Sequence, residues 1–419
     1  MNSIYNAAMA LMASAVRLGA RRSDKMRRML QGHTEVSERL RLGRRKLAPD
    51  GFDVWFHAAS LGEFEQARPL IERLLAERPD MSILLTFFSP SGYEVRKDFN
   101  PGVQVAYLPF DRPDAVRAFL DEAAPRMAVF VKYEFWGNYL SELKRRGIPT
   151  YIISAIFRPG QIFFRPWGGM FRKMLGCFDR LYVQDADSEA LLAGIGVTNV
   201  TVAGDTRFDR VATIRSQARR HPAVDAFRGA GSADTPVMVV GSSWPADEDI
   251  YIPFLKRHSG VRAIIAPHEF DCERIEALRE RLGRDCTAVL SELEAGAGLP
   301  TGSRYLLVDC FGWLSSLYGY ADFAYVGGGF GAGLHNINEA AAFGIPVVYG
   351  PNNRKFREAA ELAECGGGFC VHNASDFDRI ASRMVDDEAA RRSAGDKAGA
   401  YIDKHVGATA KIMADIFNL

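Results

Sequence analysis

The stretch DVWFHAASLGEFEQARPLIERLLAERPDMSILLTFF, residues 53–88, decides the fold class. Asp53–Ala59 is a short, nearly continuous apolar run. Gly62–Pro79 carries Leu70, Leu74 and Leu75 on one helical face with charges opposite. Ser82–Phe88 is a second apolar run. Strands that are apolar on both faces, joined by an amphipathic helix, predict a parallel sheet covered on both sides.

The unit recurs in both directions along the chain. VQVAYLP (103–109), MAVFVK (127–132), TYIISA (150–155) and RLYVQ (180–184) continue one series, with connections such as YLSELKRRG (139–147). VMVVGSS (237–243), RAIIAPH (262–268), RYLLVD (304–309), FAYVGG (323–328) and PVVYG (346–350) form another, with helical segments ERIEALRERLG and NEAAAFG between them. Residues 207–236 are polar and strand-free and read as a hinge. The expected architecture is α/β: two doubly wound, Rossmann-like domains facing a cleft at the carboxyl ends of their strands. Boundaries are expected at 1–46, 47–210 and 211–419.

Composition agrees with large buried cores: 419 residues, 47% hydrophobic and 25% charged. A net charge of +1 excludes a generic polyanion binder, so no nucleic acid partner is expected. The lack of repeated long apolar runs excludes a polytopic membrane protein. Cys177, Cys272, Cys286, Cys310, Cys365 and Cys370 form no CxxC pair and read as reduced thiols in a cytosolic setting.

The neutrality is an average. Ile4–Leu18 is apolar but interrupted by Asn6, Ser14 and Arg17, and shorter than the ~20 residues of a span. Arg17–Lys46 follows with eleven Lys/Arg against three Asp/Glu, a local +8, so the remainder sums to −7. Apolar first and basic after is the order of a membrane attachment with a cytoplasmic basic flank. A soluble helix packed on the body is the competing reading. A cleaved signal peptide would place its charge first.

Several motifs stand where strands end. In HAASLGEFEQARP, Glu63 opens a helix after a Ser-Leu-Gly turn, either capping that helix or acting as a general base. FFSPSGYEV offers Ser89, Ser91 and Gly92 as a weak phosphate loop. In KYEFWGNYL, Glu134 stands among aromatics, fit to bind a sugar or to orient another residue. IFRPGQIFFRPWGGMFRKML (156–175) interleaves Arg158, Arg165, Arg172 and Lys173 with aromatics. That pattern suits a membrane interface or a phosphorylated amphiphile, or single-stranded nucleic acid; packed aromatic helices are the plain alternative.

The richest motif is YADFAYVGGGFGAGLHNINEAAAFGIPVVYGPNNRKF, with Gly327, Gly328, Gly329, Gly331 and Gly333, then His335, Asn336 and Glu339. It is neither a P-loop nor a dinucleotide fingerprint. Its backbone amides are expected to meet a phosphate, and Glu339 a ribose diol. Arg207, Ser243 and His268 also follow strands and complete the set, Arg207 as a cation for an anionic donor or leaving group. No Asp-x-Asp metal motif is read at a strand end, the histidines lack ligand spacing, and no metal or other cofactor is expected.

These pieces in this order resemble the 3-deoxy-D-manno-octulosonic acid (Kdo) transferases of lipopolysaccharide synthesis. HAASLGEFEQARPLI, KYEFWGN, GIPTYIISA, AGDTRFD, GSSWPADE, IIAPHEFDCERI, VDCFGWLSSLYGYADFAYVGGGF and LHNINEAAAFGIPVVYGPN carry the resemblance, from the N-terminal apolar segment through at least Phe356. It implies a glycosyltransferase B fold and inverting transfer of Kdo from CMP-Kdo to a lipid A precursor. The setting implied is the cytoplasmic face of the bacterial inner membrane. It implies that residues 47–210 hold the acceptor and 211–419 the CMP-sugar. Glu63 matches the family's catalytic base and Glu134 the Glu of its E-x-W-P-N-like motif. Asn336 and Glu339 match the H-N-x-x-E segment that holds the nucleotide. The expected donor set is Arg207, Ser243, His268, Gly327, Gly328, Gly329, Asn336 and Glu339. The expected acceptor side is Ser89, Ser91, Gly92, Glu134, Arg158 and Arg165.

The chain departs from the family pattern at several places. Gly137 stands for Pro, Asp205 for Asn, Arg207 for Lys, His268 for Arg, Glu269 for His, Gly329 for Ser and Asn338 for Pro, which marks a divergent member. Another nucleotide-sugar transferase or epimerase of the same fold, or a non-catalytic nucleotide-binding protein, are the alternatives.

Overall fold

The structure is a computed structural model that describes residues 3–232, 234–331 and 333–419. The chain divides into two compact units, residues 1–210 with 406–419, and residues 211–405.

The first unit is built on a seven-stranded parallel sheet: β1 (Val54–Ala58), β2 (Ile83–Phe87), β3 (Val103–Tyr107), β4 (Ala128–Val131), β5 (Thr150–Ala155), β6 (Arg180–Val183) and β7 (Val200–Val202). Their spatial order is β3-β2-β1-β4-β5-β6-β7. All residues of β1, β2 and β4 are buried, as the unbroken apolar runs require. The order reverses between β1 and β4, so successive crossovers leave β1 and β4 toward opposite edges. The helix Leu61–Glu77 follows β1 and buries Phe64, Ala67, Leu70, Ile71 and Leu74 on one face.

The second unit repeats the plan with β8 (Val237–Ser243), β9 (Arg262–Pro267), β10 (Thr287–Val289), β11 (Tyr305–Leu307), β12 (Phe323–Val326), β13 (Val347–Tyr349) and β14 (Gly368–Cys370). The order is β10-β11-β9-β8-β12-β13-β14, again parallel, with its switch between β8 and β12. The sequence reading finds eleven of these strands and misses β7, β10 and β14, each only three residues long. Residues 207–236 are strand-free but not irregular, holding the helices Arg207–Ser216 and Pro222–Gly229.

One expected boundary needs correction: the second domain does not run to residue 419. The chain returns at Val406, and the helix Ala408–Phe417 buries Ile412, Met413 and Phe417 in the first unit's core. Asp209 accepts the Gly407 amide (2.6 Å), the Thr409 amide (2.7 Å) and the Thr409 hydroxyl (2.8 Å), and Tyr182 of β6 donates to Asp415 (2.7 Å).

The N-terminal segment forms the helices Ser3–Gly19 and Asp24–Leu47. The first is tied down on one face. The Tyr5 hydroxyl donates to buried Asp111 (2.5 Å) and accepts from the Gly137 amide (3.0 Å), while Asn138 donates to Asn6 (2.9 Å). The other face is bare: Ile4, Leu11 and Leu18, seven residues apart, are 76%, 73% and 65% exposed. No helix among the described residues is long and apolar enough to cross a membrane.

The second helix buries Val36 and Leu40 in the core and lays the His33 ring against Phe110 (4.6 Å) and Tyr107 (5.6 Å). Among the described residues neither His33 ring nitrogen has a hydrogen-bond partner, and burial lowers its pKa to about 4. The unfolded chain, with an imidazole near 6.5, binds this proton more readily, so stability falls as pH drops from about 6.5 to 4. Urea unfolding of wild type and His33→Leu at pH 7.5 and 4.5 checks this. Wild type should lose roughly 2–3 kcal/mol more than the variant; an equal loss in both contradicts the assignment.

Candidate functional site

The first unit gathers charge at the carboxyl ends of β1, β4, β5 and β7. The chain leaves β1 through Ala59 and Ser60, and Glu63 occupies the third position of the helix Leu61–Glu77. Carboxylates are favoured there by the helix dipole. The Ser60 hydroxyl donates to Glu63, which fixes the carboxylate half-buried at the sheet's edge. Glu63 therefore sits in the first helical turn, at the carboxyl end of β1.

Three further residues share this charge field. Burial raises the pKa of Tyr133, Arg158 and Arg207 act against that rise, and Glu63 adds to it. Glu63, Arg158 and Arg207 are thus each within electrostatic reach of the Tyr133 phenol, Glu63 and Arg207 from the first turns of their helices and Tyr133 and Arg158 from loops. Arg207 is held by Asp205, which is buried: Nε and Nη2 donate to Oδ2 (2.9 and 2.7 Å) and the Arg207 amide to Oδ1 (3.0 Å). Gln66, one turn after Glu63, donates to the same carboxylate (3.1 Å). Burial pushes Asp205 up, but the Arg207 guanidinium outweighs it and holds the group below the usual carboxylate range. Thr206 donates to the Gln66 carbonyl (2.6 Å) and meets the Ser154 hydroxyl (3.0 Å), locking the loop after β7 to the helix and to β5.

Backbone strain marks the same edge. Lys132, directly after β4, has φ +61°, and Ser154, at a register shift between β5 and β6, has φ +51°. Non-glycine residues hold such angles only when their surroundings enforce them.

Glu134 lies under this surface rather than on it. It is buried, with Oε2 3.1 Å from His57 Nε2 and accepting from Trp136 Nε1 at 2.6 Å; the other His57 nitrogen meets Thr86 at 2.9 Å. Of its two expected roles, sugar contact or orientation of another residue, this geometry matches orientation. Ser89 caps the helix Pro90–Arg96 by accepting the Ser91 amide (3.3 Å) and bonds the Ser91 hydroxyl (2.9 Å). Gly92 is buried, and a Cβ there would stand 2.2 Å from the Phe87 ring. That loop is spent on its own turn and packing. Arg165 is exposed, and among the described residues its guanidinium has no hydrogen bond or ion pair. The 156–175 aromatics pack inward, Phe163 on Phe135 (4.8 Å) and Phe157 (5.7 Å), leaving Trp167 73% exposed.

The second unit has its own cluster at the β8/β12 switch. Trp244, His268 and His335 form a stack, with centroids 4.4 Å apart for Trp244–His268 and 4.7 Å for His268–His335. Trp244 Nε1 donates to His335 Nε2 (3.1 Å), so that nitrogen is an acceptor and the ring's proton sits on Nδ1. Burial lowers the His335 pKa and neighbouring His268 lowers it further. Glu339 accepts from Ser315 (2.7 Å) and from Asn336 (3.1 Å). Ser243 is buried with its hydroxyl 3.3 Å from Tyr251, and its carbonyl accepts the His268 amide (2.9 Å).

The glycine loop differs from the expected phosphate cradle. The Gly327 amide bonds the Gly241 carbonyl (2.9 Å), and the Gly328 amide bonds Asp247 Oδ2 (2.9 Å). Asp247 is buried, and it also accepts the Trp244 amide (2.8 Å) and the Tyr325 hydroxyl (2.8 Å). Two of the three expected amides thus already serve acceptors within the protein. The glycines answer to packing: a Cβ on Gly327 would stand 2.4 Å from the Ser242 carbonyl oxygen, and Gly328 has φ +88°. Asp247-x-Asp249 and Asp185-x-Asp187 do follow strands, contrary to the sequence reading. Asp185 caps the helix Ala186–Ala193, and Asp249 pairs with Arg281. No group of three or more His, Cys, Asp or Glu among the described residues is placed to hold a metal.

Sequence reasoning missed His57, Tyr133, Gln66, Trp244, Asp247 and Ser315. His57 had a signal, as the one polar residue inside an apolar strand run. Gln66 had another, three residues beyond Glu63 on the same helical face. The positive φ angles had none.

A family model described as 3-deoxy-D-manno-octulosonic-acid transferase (kdotransferase) matches residues 34–210. The 3-deoxy-D-manno-octulosonic acid transferase of Bordetella pertussis is 31% identical over 394 residues, covering 89% of each chain. That of Aquifex aeolicus is 28% identical over 328 residues, covering 77% of this chain and 83% of the relative. Among solved structures, a UDP-GlcNAc 2-epimerase from Neisseria meningitidis superposes with a TM-score of 0.58 at 12% identity, over 87% of this chain and 100% of that one. One from Methanocaldococcus jannaschii gives 0.50 at 14%, over 84% and 98%. At such identities the structures speak for the fold alone, that of the glycosyltransferase B class, whereas the sequence match to the transferases spans nearly the whole chain: this protein belongs to the 3-deoxy-D-manno-octulosonic acid transferase family.

Proposed function

We propose that this protein transfers Kdo from CMP-Kdo to a hydroxyl of a lipid A precursor, inverting the anomeric centre, at the cytoplasmic face of the inner membrane. The observation that carries the reading is Glu63, a carboxylate at the β1/β4 switch that, like Arg158 and Arg207, acts on the Tyr133 phenol beside it, in a member of this family.

In this reading Glu63 takes the proton of the attacking hydroxyl. Ser60 holds the carboxylate in place, and the Asp205–Gln66 anchor keeps Arg207 pointed at the same surface. Arg158 and Arg207 face the anionic groups of the reactants. His57, Glu134 and Trp136 act from beneath as positioning residues, because each is already hydrogen-bonded within the unit. In the second unit, Glu339 and Asn336 accept and donate to the nucleotide's ribose. The Trp244–His268–His335 stack presents a planar surface suited to a base. CMP leaves with one phosphate, and no metal is invoked.

Substitution of the base is the first test. Glu63→Gln should lower turnover by about 10²–10⁴-fold while leaving CMP-Kdo binding within about twofold of wild type. Product mass after incubation with CMP-Kdo and lipid A precursor reads the transfer directly. Wild-type turnover in the variant removes Glu63 from the role of base. A product formed only from a UDP-sugar replaces the donor.

The bare stripe of Ile4, Leu11 and Leu18 and the exposed Arg17, Arg21, Arg22, Lys25, Arg27 and Arg28 beside it support attachment along the membrane surface. Each large side chain that enters the interface contributes about 1.5–3 kcal/mol. Ile4→Glu with Leu11→Glu should therefore move most of the protein from the sedimented membrane fraction to the supernatant. Activity on a detergent-dispersed acceptor should be retained. Unchanged sedimentation would exclude this face as the attachment.

A further inference from the structure

The first unit contains a second built cavity that shares no residue with the site above. It lies between the helix Asp24–Leu47 and the short helix Pro90–Arg96, has a volume of about 370 Å³, and is lined by Arg28, Arg39, Lys97, Glu94, Tyr93 and Tyr107 among others. Its floor is a pair of stacked phenols, Tyr93 on Tyr107 with centroids 4.1 Å apart, and these residues are only 4% and 1% exposed. Gly32 makes room for them, since a Cβ there would stand 2.1 Å from the Tyr107 ring.

Three buried polar atoms of this cavity are poorly satisfied among the described residues. Among the described residues neither the Tyr93 nor the Tyr107 hydroxyl has a hydrogen bond of good geometry, although the Glu94 carboxylate faces the Tyr107 hydroxyl, and the Nε of Arg39 meets only Glu35 at 3.6 Å. Buried donors left open in this way are uncommon and call for an occupant. Burial raises both phenol pKa values, so both hydroxyls remain protonated donors at neutral pH. Arg39 lies over the Tyr93 ring at 5.3 Å. The acids present are only loosely paired, Glu35 with Arg39 at 3.6 Å and Glu94 with Lys97 at 3.7 Å.

We propose that this cavity binds a phosphate ester bearing adjacent hydroxyls, a polyol or sugar phosphate, either free in solution or as the headgroup of a lipid. The open phenol hydroxyls and the Arg28, Arg39 and Lys97 cations receive the phosphoryl oxygens. Glu35, Glu94 and Gln31 accept from the ligand's hydroxyls. A bare anion would leave those carboxylates opposed to it, and a neutral sugar would leave Arg28 unused and Arg39 and Lys97 held only by their loose pairs. The site is independent of the transfer reaction and stands or falls without it.

The full chain is compared with the Tyr93→Phe/Tyr107→Phe double variant, which removes two hydroxyls and keeps both rings. Its urea-unfolding midpoint should stay close to wild type, because among the described residues neither hydroxyl has a hydrogen bond of good geometry; a marked loss shows that they are satisfied internally, Tyr107 by Glu94, and overturns the proposal. Calorimetry with glycerol 3-phosphate and flotation with vesicles of phosphatidylcholine containing equal fractions of phosphatidylglycerol or phosphatidylserine then locate the source. A preference of wild type for phosphatidylglycerol by about tenfold or more, absent in the double variant, supports a lipid headgroup. Glycerol 3-phosphate binding that the double variant weakens about tenfold, with no vesicle preference, supports a soluble ligand. If neither the vesicle preference nor glycerol 3-phosphate binding depends on the two hydroxyls, the proposal fails.

Discussion

A parallel sheet buried on both faces leaves its strands open only at their ends, and the structure depends on that constraint. Where the strand order reverses, neighbouring crossovers part and the carboxyl ends between them stay uncovered. In the first unit the gap falls between β1 and β4, and it is there that Glu63, Lys132, Tyr133 and Glu134 emerge. In the second it falls between β8 and β12, and there Ser242, Trp244 and the glycine loop emerge. Two of the three strained non-glycine residues at strand ends, Lys132 and Ser242, lie at these gaps, and Ser154 lies one strand further on.

Each unit stabilises its edge with one buried carboxylate. Asp205 collects donors from Gln66 and Arg207, and Asp247 collects the amides of Trp244 and Gly328 and the Tyr325 hydroxyl. A buried charge of this kind is tolerated because it is saturated, and removing it would leave several donors without acceptors. This also joins two of the chain's departures from its family's pattern. Asp at 205 and Arg at 207 form an ion pair that Asn and Lys at those positions would not, with Nε and Nη2 both on one carboxylate oxygen. The two departures are therefore coupled, and the cation stays within reach of the Tyr133 phenol.

The fold was largely legible because parallel strands announce themselves as apolar runs with helices between, and eleven strands carried runs long enough to see. The missing three are edge or near-edge strands of three residues, too short for any period to register. The position of Glu63 was legible from the strand–turn–helix pattern, whereas the hydrogen bond from Asn336 to Glu339 came only with the structure. What stayed hidden depended on partners distant in sequence. Glu134 faces His57 across 77 residues, Gln66 reaches Asp205 across 139, and Asp247 occupies Gly328 across 81. The last of these is why the glycine loop misleads: a run of glycines signals close backbone approach, but not whether a ligand or a protein carboxylate is what approaches.

The N-terminus shows how packing narrows a reading that composition leaves open. A helix of 17 residues is about 25 Å long, short of the ~30 Å hydrocarbon core. More decisively, one of its faces is already committed. Inserting Ser3–Gly19 upright would pull Tyr5 from Asp111 and Gly137, and Asn6 from Asn138. It would leave a buried carboxylate short of a donor in exchange for apolar contacts that the opposite face can make without moving. Ile4, Leu11 and Leu18 sit on that opposite face, one heptad apart, with the basic start of the next helix alongside. The arrangement suits a helix lying along an apolar surface better than one that crosses it, and under the proposed attachment the local +8 would be a flank facing anionic headgroups rather than a stop at the end of a span.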